Sequence, residues 1–311
     1  MNDEPDPTWL SAHVFTAHPL DLVLSRLVPA VVDDARRRGL ADRFFFIRHW
    51  QSGPHLRLRL RAAAPDAEPE LRALLETNAA EFFGSLSPAT PMTARQYGEL
   101  AARLAVMEPG TEAGRLAPND SLAFIPYRPE TAKYGRGPAL SAAEACFCLC
   151  SEQALAAATD SPTQRLAYCF ALLAGTARPA GQPAAWRTPL RVEQYRRRRA
   201  SLLPVARAAR AAANGRATAD TGQDPLARWF AAFRRARDLS AAPDRLADHL
   251  SHLACNRRGV RLDQEATLRG LAALAVDELT GGPDGRPADR ADADTDTDTD
   301  SRDADRDAAG Q

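Results

Sequence analysis

Apolar and basic residues alternate strictly through residues 55–61, where Leu56, Leu58 and Leu60 interleave with His55, Arg57, Arg59 and Arg61. A strand sends successive side chains to opposite faces, so the segment predicts one leucine face and one row of cations. The aromatic run Phe44-Phe45-Phe46-Ile47 supplies a partner strand, and Ser52-Gly53-Pro54 reads as the turn between them. Upstream, Trp9 to Thr16 alternates as a short strand. Leu20, Val23, Leu24, Leu27, Val31 and Val32 recur at helical spacing in a helix reaching Arg38, with Gly39 placed to end it. A second helix spans Glu68 to Phe83, with Leu71, Leu74, Leu75, Phe82 and Phe83 inward.

Beyond it, residues 84–119 turn rich in Pro, Thr, Ala and Gly and read as a surface insertion with a helix at Ala94 to Met107. Leu122 to Tyr127 is a strand. It leads into Tyr127-Arg128-Pro129-Glu130-Thr131-Ala132-Lys133-Tyr134-Gly135-Arg136-Gly137-Pro138, whose glycines and prolines predict irregular backbone and whose dense polar and aromatic side chains suit a binding loop. The rest is helical: Ser141 to Ala158, with Ser141 and Glu144 as a capping box, then Pro162 to Ala174, Val192 to Ala213, Pro225 to Arg237, Ala242 to Arg257 and Asp263 to Leu279. The pattern predicts an α+β fold, an N-terminal antiparallel sheet with flanking helices packed on a mostly helical C-terminal half. One domain spans 1–283, and the Thr-Asp repeats of 284–311 lack the apolar content to offset their ordering entropy, predicting a disordered acidic tail.

The chain's net charge of zero hides an asymmetry. Residues 284–311 hold ten Asp and four Arg, a balance of minus six, so the body carries plus six. Nearly all of that charge is arginine, which makes the single lysine, Lys133, conspicuous. With no long apolar run and no basic-then-apolar start, neither a membrane span nor a secretory signal is expected, and the chain reads as cytoplasmic. Five cysteines in that compartment predict free thiols.

Three guanidiniums along one strand face repel one another, an arrangement comfortable opposite anions or in open solvent. Two readings follow, a clamp for an acidic substrate group or an exposed edge strand guarded by charge. Near the end of a helix, His249, His252 and Asn256 share one face, with Arg257 adjacent. A histidine there is the natural proton acceptor, while cations at a helix C-terminus equally suit its dipole. Cys146, Cys148 and Cys150 lie among Ala, Phe and Leu and read as core rather than as metal ligands. Arg196 to Arg199 reads as a solvated helix face that can lean weakly on RNA phosphates. Gly135-Arg136-Gly137 lacks the third glycine of a dinucleotide loop, so no cofactor is expected.

Three segments taken together, FFFIRHWQSGPHLRLRL, YRPETAKYGRGPALSAAEACF and SHLACNRRG, resemble the small elimination domain of the lanthipeptide dehydratases, a domain that stands alone in thiopeptide and related bacteriocin pathways. The likeness runs over residues 9–280 in the family's order. It implies a lyase that removes the α-proton from glutamylated Ser or Thr of a precursor peptide and expels glutamate, leaving dehydroalanine or dehydrobutyrine. The partners it implies are a leader-bearing precursor peptide and a separate tRNA-dependent glutamylating subunit. Carried over by position, Arg57 and Arg59 match the paired arginines, Lys133 stands where the family often has Arg, and His252 matches the essential histidine four residues before Asn256. The expected catalytic set is His252, Arg59 and Lys133, and the expected substrate-binding set is Arg57, Arg48, His55, Tyr134, Asn256 and Arg257.

Lys133 keeps the charge but loses the planar fork, and the 84–119 insertion lengthens the path between arginine strand and loop. These departures leave two alternatives open. The same scaffold resembles the thiopeptide pyridine synthases, which join two dehydroalanines in a formal [4+2] cycloaddition, and a non-catalytic member would bind leader peptide as a scaffold.

Overall fold

The computed structural model describes residues 8–107, 112–178, 188–216 and 224–281, so the acidic tail lies outside the described residues. Strands β1 (Trp9–Phe15), β2 (Ala41–His49), β3 (His55–Ala62) and β4 (Ser121–Phe124) form one antiparallel sheet in the order β2-β3-β1-β4. β3 is therefore interior, and the reading of its arginines as an edge guard fails. Its leucines face a core as alternation predicts, Leu56, Leu58 and Leu60 being fully buried with Leu10, Ala12, Val14, Phe44 and Phe46.

That face is covered by α1 (Leu20–Leu22), a π turn over Val23–Leu27, α2 (Val28–Arg37) and α3 (Glu68–Gly84). The π turn immediately precedes Pro29, whose missing N–H would leave a gap in an ordinary α ladder; here Val28 N–H donates to Val23 O. Gly39 ends the run at φ +66°, a conformation that favours glycine.

The opposite face meets a helical half built from α6 (Pro138–Ala156), α7 (Pro162–Thr176), α8 (Pro189–Ala213), α9 (Pro225–Asp238), α10 (Pro243–Arg257) and α11 (Leu262–Leu279). Trp9 and Phe45 pack with Phe147, Trp229, Phe230, Phe233 and Leu250, while α7, α8 and α11 share a further core around Phe170, Leu271 and Val276. α4 (Ala94–Met107) lies where the insertion's periodicity puts it, with Tyr97 and Ala101 packed on Trp50.

Two local expectations are corrected. The loop after β4 is not wholly irregular: Thr131–Tyr134 forms one helical turn, α5, between Pro129 and Gly135. α6 starts at Pro138 after Gly137 at φ +56°, so Ser141 lies inside its first turn and caps nothing. Proline suits the first helical position because that N–H needs no partner. A capping box does form at Ser161 and Gln164, at the start of α7. The Arg196–Arg199 block is exposed, with Arg197 paired to Glu193 and Arg199 to Glu278.

Candidate functional site

Register brings the sheet's polar residues to one place. Ser11 stands opposite Arg59, His13 opposite Arg57 and Phe15 opposite His55, all on the face turned from the leucine core. β2 adds His49 beside His55. Here a cavity of about 400 Å³ is lined by His13, Gln51, Arg57, Arg59 and Arg128, with Phe15, Ile125 and Pro126 among its apolar walls. Three cations and no carboxylate line it.

The histidines are neutral. His55 Nδ1 donates to Gly53 O at 2.8 Å, which frees Nε2 to accept from Arg57 Nε at 3.1 Å. Arg57 also reaches Gln51 Oε1 at 2.8 Å. His13 stacks on His55 with ring centres 4.9 Å apart. Burial and the neighbouring Arg57 charge pull His13 and His49 down to about 2 and His55 to about 4. Arg59 lies over the rings of Phe45 (5.2 Å) and Tyr127 (4.6 Å), and its buried Nε has no hydrogen-bond partner among the described residues. Ser11 Oγ, across the ladder, is likewise buried and unpaired. Burial first, and then repulsion from Arg57 and Arg257, brings Arg59 down to about 10. A partly buried cation that faces a cavity with no carboxylate in its lining is placed to meet an anion.

A second group of predicted residues gathers around α5 and α10. Tyr134 is buried with its ring 6.3 Å from His249. Burial raises its phenol, the charge of Glu130 adds to that, and Arg257 and Arg59 pull the other way, so Tyr134 lies within the field of the arginine face. Lys133 is exposed and pairs with Glu130 at 2.6 Å. His252 Nδ1 lies 2.8 Å from Glu265 Oε2, and Glu265 also accepts from Arg269 Nε at 2.8 Å. Burial opposes ionisation of Glu265, yet His252 and Arg269 hold its carboxyl below the usual range. A carboxylate on Nδ1 fixes the tautomer and leaves Nε2 as acceptor. Neither His252 nor Lys133 is among the residues lining the Arg57–Arg59 cavity.

Three further predicted residues hold the sheet to the helices. Asn256 accepts from Arg48 N (3.0 Å) and donates to Arg48 O (2.9 Å), completing the outer edge of β2 as another strand would. Ser151 Oγ does the same for Phe46 N at 3.0 Å and accepts from Arg257 Nε at 3.1 Å. Arg257 is 2% exposed. Arg48 bridges Asp21 (2.5 Å) and Arg257 O (3.3 Å).

Sequence reasoning missed His13, His49, Arg128 and Glu265. Only cross-strand register signals His13, and only the packing of α11 on α10 signals Glu265. Among the described residues no group of three or more His, Cys, Asp or Glu is placed to hold a metal ion, and all five thiols are buried and free.

The cationic sheet face, with the β2–β3 turn and the segment after β4, frames a cavity lined by three arginines, and a carboxylate-oriented imidazole stands separately on α10. The chain belongs to the lantibiotic biosynthesis dehydratase C-terminal family, whose model matches residues 9–276. Its fold is shared with the pyridine synthase TbtD from thiomuracin biosynthesis, at TM-score 0.68 and 20% identity over 88% of this chain and 99% of that one. It is shared too with the tRNA-dependent lantibiotic dehydratase MibB from Microbispora sp. 107891 (TM-score 0.53, 21% identity, 88% of this chain and 28% of that one). TsrL aligns at TM-score 0.55 and 17% identity over 89% and 96% of the two chains. No curated protein matches the chain. No helix among the described residues is long and apolar enough to cross a membrane.

Proposed function

We propose that the protein eliminates glutamate from glutamylated Ser or Thr residues of a ribosomal precursor peptide, acting after a separate tRNA-dependent glutamylating subunit. The observation that carries this reading is the cavity with three arginines and no carboxylate in its lining. The reaction removes the Cα proton, forms the Cα–Cβ double bond and breaks the Cβ–O bond, so negative charge builds on the departing carboxylate. Arg57 and Arg59 stabilise that charge and His13 adds a neutral N–H donor.

Two imidazoles compete for the role of base. His13 is held near 2 by burial and by Arg57, too weak to accept the proton. His252 is oriented by ionised Glu265, so we assign the base to His252. Lys133, exposed on α5, serves as a point-charge donor that closes over the substrate.

A second reading, pyridine formation by [4+2] cycloaddition, draws on the shared fold with TbtD along 99% of that chain. One experiment separates them: the purified protein is incubated with a chemically glutamylated precursor peptide and followed by mass. Loss of glutamate supports elimination; in a parallel incubation with a peptide already carrying two dehydroalanines, loss of leader with macrocycle formation supports the synthase; binding of both peptides without mass change supports a scaffold.

A further inference from the structure

Next to the cationic cavity lies a larger hollow of about 540 Å³, and the two share Phe15 and Ser52 as walls. One side of it is the end of β1 and the β2–β3 turn; the other is the 84–119 insertion, through Met92, Gln96 and Leu100. Its charged lining is one acid, Glu99, and one base, Arg103. The neighbouring cavity carries three arginines and no acid.

Ser52, at the junction, is held in an unusual conformation. Its φ is +63°, one of two positive values among the described non-glycine residues. The insertion fixes it there: Ser52 N lies 2.8 Å from Ala113 O and from Tyr97 Oη, and Ser52 O accepts from Ala117 N at 2.8 Å. Contact is close enough that a Cβ on Gly114 would meet Ser52 Oγ at 2.6 Å, and one on Gly53 would meet Leu116 at 2.9 Å. Backbone strain of this kind persists only where surrounding structure over-determines it, and it gathers at ligand sites. In the same lining, His18 Nε2 is buried and has no hydrogen-bond partner among the described residues.

From this geometry we infer that the insertion-walled hollow is the binding groove for the uncharged stretch of peptide that adjoins the reacting residue. The inference rests on the elimination reading for its substrate. If the modified side chain puts its anion among Arg57, Arg59 and Arg128, the peptide main chain must leave the cavity. The hollow beyond Phe15 and Ser52 receives it. An apolar, charge-balanced lining favours neutral residues there. The insertion thus sets which sequence context around a modified Ser or Thr is accepted.

The test uses the full chain and two substrates, a synthetic peptide with one O-glutamylated Ser flanked by six uncharged residues on each side, and N-acetyl-O-glutamyl-serine methylamide, whose glutamyl group is esterified to the side-chain oxygen. Leu100→Arg should raise KM for the long peptide at least tenfold with kcat little changed, and leave the short substrate unaffected. Unchanged KM, or equal losses on both substrates, overturns the groove. Glu99→Lys, at an exposed position, is the second variant should Leu100→Arg fail to fold. A photo-crosslinking residue at exposed Gln96 should label peptide positions within a few residues of the modified Ser. Labelling only at remote positions, or none, overturns the proposal. If the wild type releases no glutamate from either substrate, the elimination reading falls alone, and the crosslink pattern still decides the groove.

Discussion

His252 Nδ1 and Glu265 Oε2 lie 2.8 Å apart, joining α10 to α11 and leaving His252 Nε2 as the ring's acceptor. Glu265 is 5% exposed and also bound by Arg269, so the imidazole is aimed by a fixed carboxylate. Glu265→Gln keeps the shape and removes the charge. It should lower the rate of glutamate release by about 10- to 100-fold, the usual effect of losing such an orienting partner. His252→Ala should abolish release. Mass spectrometry of the glutamylated peptide reads both, and full turnover by His252→Ala would move the base elsewhere.

Arg59 sets stability against function. Its guanidinium lies over Phe45 and Tyr127, Nε is unpaired, and burial brings its pKa down to about 10. A folded pKa below the unfolded value means that folding penalises the charged form, so a neutral side chain of similar length removes the penalty. Arg59→Met should stabilise the fold by on the order of 1 kcal/mol after loss of the cation–π contacts. Thermal melting should rise by roughly 2–4 °C while glutamate release is lost. A melt that falls instead would show that Arg59 holds the fold together.

Local pattern made the sheet's inner face legible, because alternation through Leu56, Leu58 and Leu60 is a property of adjacent residues. The helical half was legible for the same reason, each helix carrying its own periodicity and mostly opening on a proline. What the chain hid is what register and packing create. β1 is buried along its whole length, so His13 carried no sign that it faces Arg57 across the ladder. Glu265 lies in the first turn of α11, where nothing local marks it, and only α10 beside it gives it His252. Ser141 with Glu144 resembled a cap because the competing start, Pro138 after a positive-φ glycine, lies in a loop whose geometry no period predicts.

Asn256 acts on the sheet edge through both ends of its amide, binding Arg48 N and Arg48 O at 3.0 and 2.9 Å. Asn256→Ala leaves two backbone groups of β2 without partners and should cost about 2 kcal/mol. Urea unfolding measures the loss, and KM for the glutamylated peptide should stay within about twofold at a temperature where the variant is folded. Asn256→Asp should be worse, since it replaces the donor to Arg48 O with a second acceptor. A selective rise in KM without loss of stability would return Asn256 to the substrate.

Acid should unfold this domain earlier than its carboxylates alone would dictate. His13, His49 and His55 are held at about 2, 2 and 4 in the fold against an ordinary value of 6.5, by burial first and the arginine charges next. Between the folded and unfolded values the unfolded chain binds more protons, so stability is full above 6.5 and falls as pH drops below it. Each histidine contributes a slope of up to about 1.4 kcal/mol per pH unit. Asp21 and Glu265 also sit below their ordinary values, but those are 3.8 and 4.5, so their loss begins at lower pH. A decline between pH 6.5 and 5 therefore belongs to the histidines. Urea midpoints across that range should fall steadily, His49→Gln should flatten the slope, and a midpoint independent of pH there would show that the imidazoles are not held neutral. An anion in the cavity offsets Arg57 and Arg59, so added glutamate should shift the His13 titration upward by NMR.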